Sequence, residues 1–177
     1  MKRASTKEDI YNLIQTIREK LPNAALRTTL IVGYPGETKE EFEELKAFVS
    51  DVRFDRLGVF KYSAEEGTSA FALEDDVSED VKQERMDEIM EVQQEISFDK
   101  NQEKIGKKLY VLTDRYEGEY VVARTMQDSP EVDNEVLILD VDDDAGAEHT
   151  PPIQIGNFYT VEITDANAFD VIGVVCK

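Results

Sequence analysis

The sequence predicts an α/β segment followed by a small all-β domain. Before residue 63 the pattern is helix, strand, helix, strand with short connections, which is typical of parallel βα units. After Gly106, five short runs rich in β-branched, aromatic and aliphatic residues alternate with turn-like segments, which is the pattern of a small OB-like β-barrel. The change in pattern lies near 104–106, so we expect domains at 1–104 and 105–177.

The first predicted helix begins with a capping box formed by Ser5 and Glu8. Apolar residues then recur at helical spacing until Pro22, which ends the helix. The apolar, β-branched run that follows predicts a buried strand at 27–33.

A second helix begins at Thr38, where Glu41 completes another capping box. A second strand is predicted at 56–62. After a long polar loop, Ser78 caps a helix that runs to about Glu103, with apolar residues on one side and charged residues on the other.

The five strands of the second domain follow from short runs of strand-forming residues. Their predicted ranges are 108–114, 119–125, 135–141, 158–164 and 170–176. Several short strands at this spacing predict a small, five-stranded OB-like barrel.

The composition limits the possible partners. The chain has 177 residues, a net charge of −19 and a pI near 4.4. Such a surface disfavours nucleic acid as a partner. It is compatible with a basic protein partner, or with charge that serves only solubility.

The sequence also disfavours a metal site and a membrane-spanning segment. The only cysteine is Cys176 and the only histidine is His149, so no disulfide and no zinc or iron–sulfur ligand set can be assembled within the chain. No apolar stretch approaches a membrane span and the first residues lack a signal-peptide core. We therefore predict no metal site and no membrane partner, and expect a cytoplasmic location.

The segment after the first predicted strand reads Thr-x-Ile-x-Gly-x-x-Gly-Glu from Thr29. Ile31 can offer an apolar surface to a flat base, and Gly33 lets the backbone approach a ligand that a Cβ would exclude. An ordinary turn between a strand and a helix is the alternative interpretation.

These residues resemble the GxIxGxxGE motif of radical S-adenosylmethionine (SAM) enzymes, which packs against the adenine of SAM; Thr29 stands where the motif has Gly. Two aromatic residues at the end of the next strand are further candidates, with core packing as the alternative. The predicted cofactor-binding residues are Ile31, Gly33, Gly36, Glu37, Phe60 and Tyr62.

Further segments resemble, in order, one branch of that superfamily, the methylthiotransferases. Residues 53–70 are similar to their sixth-strand segment, 93–112 to their connection into a TRAM domain, and 123–133 to the TRAM domain itself. The resemblance implies that 1–104 is the C-terminal segment of a TIM-like radical SAM barrel and that 105–177 is a TRAM domain.

Two kinds of methylthiotransferase compete. One modifies an aspartate of a small-subunit ribosomal protein, and the Arg-Thr-x-x-Asp-x-Pro-Glu-x-Asp run at Arg124–Asp133 resembles its pattern. The other modifies a tRNA adenosine. Residues 104–177 contain six basic and fifteen acidic residues, whereas a phosphate-binding surface needs net positive charge, so we expect the ribosomal substrate and no tRNA. A freestanding OB-like binding module remains the alternative from another class.

The resemblance also implies the cofactors. The full-length enzymes use SAM and two 4Fe-4S clusters, and the cluster ligands are absent from this chain, so we expect it to be inactive alone. The truncated barrel is predicted to self-associate through unpaired strand edges. The acidic residues predicted to bind the basic ribosomal protein are Asp128, Glu131, Asp133, Asp142, Asp143 and Asp144.

Overall fold

A computed structural model describes residues 5–130, 132–139 and 153–176. The chain forms two compact units, Met1–Ile96 and Ser97–Lys177. Within the described ranges, no helix is both long enough and apolar enough to span a membrane.

Unit 1 has the order of elements that the sequence predicts. Its elements are α1 (Lys7–Lys20), β1 (Arg27–Val32), α2 (Lys39–Val52), β2 (Arg56–Lys61) and the larger part of α3 (Glu79–Gln102). The two strands pair in parallel, with Leu30 opposite Val59 and Ile31 opposite Phe60.

The core of unit 1 lies on one face of this two-stranded sheet. Because successive side chains of a strand point to opposite faces, Leu30 and Val59 pack into the core while Ile31 and Phe60 do not. The fully buried members of the core come from β1, α2 and α3: Val32, Phe42, Val49, Ile89 and Ile96. On the other face, Ile31 and Phe60 are 42% and 63% exposed. The prediction of a buried strand at 27–33 is therefore correct only for the face of Leu30 and Val32.

Helices α1 and α2 both begin with a capping box, and one of the two lies where it was predicted. Thr38 and Glu41 cap α2 as expected. The predicted Ser5–Glu8 box of α1 is wrong by one residue, because Thr6 and Asp9 have the same spacing and form the box instead. The Asp9 carboxylate accepts a hydrogen bond from the Thr6 backbone N–H at 2.8 Å.

Unit 2 is a closed five-stranded barrel, as predicted. Its strands are β3 (Lys108–Glu117), β4 (Tyr120–Thr125), β5 (Val136–Leu139), β6 (Phe158–Ala166) and β7 (Val171–Val175). They close in the order β3-β4-β5-β7-β6. The β5–β7 pair is parallel and all other pairs are antiparallel. The core inside the barrel is mainly valine and isoleucine.

The last turns of α3 belong to unit 2. Ser97 Oγ and Asn101 Nδ2 donate hydrogen bonds of 2.7 and 2.9 Å to the carbonyls of Ala168 and Asn167. Both bonds lie within unit 2, which begins at Ser97 before the helix ends. The assignment of functional domains to 1–104 and 105–177 stays a prediction.

Candidate functional site

The motif loop, residues 33–37 between β1 and α2, is held by the carboxylate of Glu37. Both oxygens of this carboxylate accept the Gly33 N–H at 3.1 Å. Arg85 of α3 donates from Nη1 to Glu37 Oε1 at 2.6 Å and to the Glu37 carbonyl at 3.2 Å. Because both side chains are about nine-tenths buried, this charge-assisted contact ties the loop to α3.

Gly33 makes a close approach, but its neighbour is a protein side chain. Its φ of +71° is left-handed, and a Cβ built there would overlap the side chain of Lys82. Lys82 is itself buried, and its Nζ lies 2.6 Å from Asp75 Oδ2. The reason given for Gly33 from the sequence, room for a ligand, therefore differs from the one observed, which is room for Lys82.

Gly36 presents the open side of the same loop. Its φ is +82°, and no described atom lies within 4 Å of the position that a Cβ would take. Its N–H donates to Asp76 Oδ1 at 2.7 Å. The loop is thus supported by Asp76, Lys82 and Arg85, while Gly36 leaves its outer side uncovered.

The two aromatic candidates, Phe60 in β2 and Tyr62 directly after it, have different environments. Tyr62 is buried, and its hydroxyl donates to the Ala70 carbonyl at 3.2 Å. Its ring meets Tyr34 edge-on at 5.3 Å. Phe60 is exposed on the sheet face that carries Ile31. The structure therefore brings Ile31 and Phe60 together at one surface and places Tyr62 in packing.

The acidic candidates of unit 2 have local partners where they are described. Asp128 Oδ2 accepts from Thr125 Oγ1 at 2.5 Å, and Asp133 Oδ2 accepts from the Ser129 N–H at 2.7 Å. Both carboxylates therefore shape the connection between β4 and β5. The other four candidates, Glu131, Asp142, Asp143 and Asp144, lie outside the described residues.

Both arginines of unit 2 bind carboxylates. Arg115 Nη1 lies 2.8 Å from Glu135 Oε1 and Nη2 lies 2.7 Å from Glu117 Oε2. The hydrogen bonds that Arg115 donates to Glu135 and then to Glu117 raise the pKa of Arg115 above its ordinary value. Arg124 pairs with Asp114. Each guanidinium is thus already neutralised by a neighbouring carboxylate.

Sequence reasoning missed the support that α3 and the residues before it give to the motif loop. Asp76, Lys82 and Arg85 lie 40 to 50 positions downstream of the loop, among many charged residues. Local spacing gives no signal that Lys82 and Arg85 are buried or that Asp76 binds the loop. Among the described residues, no group of His, Cys, Asp or Glu is arranged to hold a metal ion.

The barrel of unit 2 belongs to a known class of domain. Residues 105–176 match the family model described as TRAM domain. Unit 2 therefore contains a TRAM domain, built as a closed five-stranded barrel.

The particular relatives are proteins named ribosomal protein uS12 methylthiotransferase RimO. Those of Christiangramia forsetii and Flavobacterium johnsoniae are each 50% identical over 98% of this chain, and that of Phocaeicola vulgatus is 52% identical over 97%. The chain spans 37 to 38% of the length of these relatives. It is thus a homologue of part of RimO, which confirms the predicted relationship to methylthiotransferases.

Proposed function

We propose that this chain is part of a uS12 methylthiotransferase. The observation that carries the proposal is the identity of about 50% along nearly the whole chain to proteins of that name. In this proposal unit 1 is the end of a radical SAM barrel, which its parallel β1–β2 pair and flanking helices support. Unit 2 is the part that contacts the ribosomal protein in the cytoplasm.

Unit 1 contributes a surface that fits the adenine of SAM. Ile31 and Phe60 lie opposite each other in register and both are exposed, so together they offer an apolar surface of the kind that lines ligand sites. Gly36, five residues after Ile31, leaves one side of the motif-loop backbone open. Glu37 and Gly33 fix the shape of this loop, with Arg85 behind it.

This chain does not contain the set of cysteines that an iron–sulfur cluster usually requires. In the proposed enzyme, SAM and iron–sulfur clusters supply the radical chemistry, while the protein binds and orients the reactants. Cluster ligands are usually cysteine thiolates, and the single Cys176 does not make such a set. We therefore assign no cluster to this chain, and propose that the chain alone is inactive.

Unit 2 suits a basic protein better than tRNA. Arg115 and Arg124 are bound to carboxylates, which leaves less positive charge for phosphates. The acidic residues of this unit, including Asp128 and Asp133, give a field that speeds encounter with a basic protein. The proposed substrate-binding set also includes Glu131 and Asp142 to Asp144.

The test uses the longer protein in which this chain occurs, loaded with its clusters. Methylthiolation of purified uS12 is followed by mass spectrometry, and SAM binding is measured separately by equilibrium dialysis. We expect Ile31→Asp to weaken SAM binding at least tenfold. The matched control is Met90→Asp, at an equally exposed position of α3. Modification of tRNA in place of uS12, or equal SAM binding by both variants, would contradict the proposal.

A further inference from the structure

Two aromatic side chains stack on the outside of the unit 2 barrel. Tyr110 of β3 and Phe158 of β6 have ring centroids 5.0 Å apart and ring planes only 5° from parallel. The side chains are 66% and 57% exposed. In the register of the two strands, Tyr110 lies opposite Thr160, and Leu112 lies opposite Phe158. We call Tyr110 and Phe158 the aromatic pair.

The barrel core does not need the aromatic pair. The alternating residues Val111 and Val161 point inward and are fully buried, while Tyr110 and Phe158 remain on the outside. Adjacent exposed aromatic rings are typical of surfaces that bind a partner, since aromatic residues are enriched where interfaces are formed. The aromatic pair is therefore a candidate contact surface.

Its position separates it from the usual ligand face of OB-like barrels. That face is formed by the second and third strands, which are β4 and β5 here. The aromatic pair lies on the first and fourth strands, β3 and β6. The face is thus a different one from that on which OB-like domains bind oligonucleotides.

The charge of unit 2 indicates what would dock there. Its described residues include eleven acidic and six basic side chains, so the unit attracts cations. On the same two strands, Lys108 lies opposite Glu162 in register, so one basic and one acidic residue share this stretch. A planar guanidinium stacks on aromatic faces and is attracted by their electron-rich surfaces.

We propose that the aromatic pair is the contact for an arginine side chain of a basic protein partner. The inference rests on the proposed function, in which that partner is uS12. The acidic residues of the unit speed encounter, and the aromatic pair supplies the short-range contact. Tyr110 and Phe158 are then specificity-determining residues of the substrate-binding surface.

The first experiment titrates the full chain with purified uS12 and measures binding by fluorescence anisotropy. We expect Tyr110→Ala combined with Phe158→Ala to weaken binding about tenfold, and Tyr110→Phe to leave it unchanged. Phe169→Ala removes an equally exposed aromatic of the same unit and is expected to change binding less than twofold. Thermal unfolding of each variant checks that it remains folded.

A second pair of variants keeps both rings and tests the sign of the partner's charge. Thr160 is exposed and lies opposite Tyr110. We expect Thr160→Lys to weaken uS12 binding at least threefold and Thr160→Glu to strengthen it. Tighter uS12 binding by Thr160→Lys than by Thr160→Glu would overturn the arginine contact. The same conclusion would follow if Thr160→Lys bound a single-stranded oligonucleotide more tightly than it bound uS12, because the aromatic pair would then favour a phosphate ligand.

The binding experiment distinguishes an error about the aromatic pair from an error about the proposed function. If the unmodified chain binds uS12 but loss of the aromatic pair changes nothing, the inference about Tyr110 and Phe158 is wrong and the proposed function stands. If the unmodified chain does not bind uS12 at all, the proposed role of unit 2 fails and the inference fails with it.

Discussion

At the scale of single residues, the contact between Glu37 and Arg85 carries the clearest energetic consequence. Arg85→Met would leave a nearly buried carboxylate without its charged partner. We expect a loss of about 2–4 kcal/mol in the free energy of unfolding of unit 1, measured by urea denaturation. Arg85→Lys, which keeps the charge, should lose less. Equal stability of Arg85→Met and the unmodified chain would show that the contact does not hold the motif loop.

A second residue-scale prediction concerns Gly173 in β7. A Cβ at this position would lie 2.5 Å from the carbonyl oxygen of Glu162 and 2.5 Å from Val161 Cγ1, so the neighbouring strand would have to move. Gly173→Ala should destabilise unit 2 by about 1–3 kcal/mol, the usual cost of overpacking. Gly58→Ala in β2 is the matched control, because its Cβ would meet no atom closer than 4.0 Å. Similar urea midpoints for both variants would contradict this account.

Single residues were predicted from sequence where their environment is local. The capping box of Thr38 and Glu41 is such a case. The apolar run of β1 predicted a buried strand, whereas the structure buries Val32 and leaves Ile31 exposed opposite Phe60. The partner of Gly33 could not be predicted, because Lys82 reaches the loop from a helix almost fifty residues away. A glycine shows that something approaches closely, and only the tertiary structure shows whether that is a ligand or a side chain.

At the scale of elements, the cap of α1 predicts a dependence on pH. A backbone hydrogen bond from Thr6 lowers the pKa of Asp9 below its ordinary value of 3.8. Asp9 therefore stabilises the folded helix above that ordinary pKa, and the stabilisation is lost as the pH falls through the lowered pKa. Asp9→Asn should reduce the helical signal of α1 by NMR at pH 7, and this effect should shrink as the pH falls through the lowered pKa of Asp9. An effect of equal size at all pH values would show that the charge is not involved.

The sequence predicts elements better than it predicts their pairing. Capping residues and apolar spacing indicated all three helices, with α1 displaced by one residue at its start. Five strand-like runs indicated the barrel. The parallel β5–β7 pair and the closure of β3 on β6 could not be read from those runs, because pairing depends on contacts between segments far apart in the sequence.

At the scale of the whole molecule, the sheet of unit 1 predicts self-association. Among the described residues this sheet has only two strands, so β1 and β2 each have one edge without a ladder partner. Unpaired edges favour pairing with another copy. Sedimentation velocity should show mass increasing with protein concentration. A monomer at all concentrations, with a single cooperative unfolding transition, would contradict the expectation of an open barrel segment.

In the proposed function, this chain is part of an enzyme that acts on a basic ribosomal protein, and unit 2 makes the contact. The most direct test titrates the full chain with uS12 and with tRNA at about 50 mM and about 200 mM salt. We predict that uS12 binds and that its affinity falls as the salt concentration rises. We predict no comparable binding of tRNA. Preferential binding of tRNA, or uS12 binding that is the same at both salt concentrations, would contradict the account.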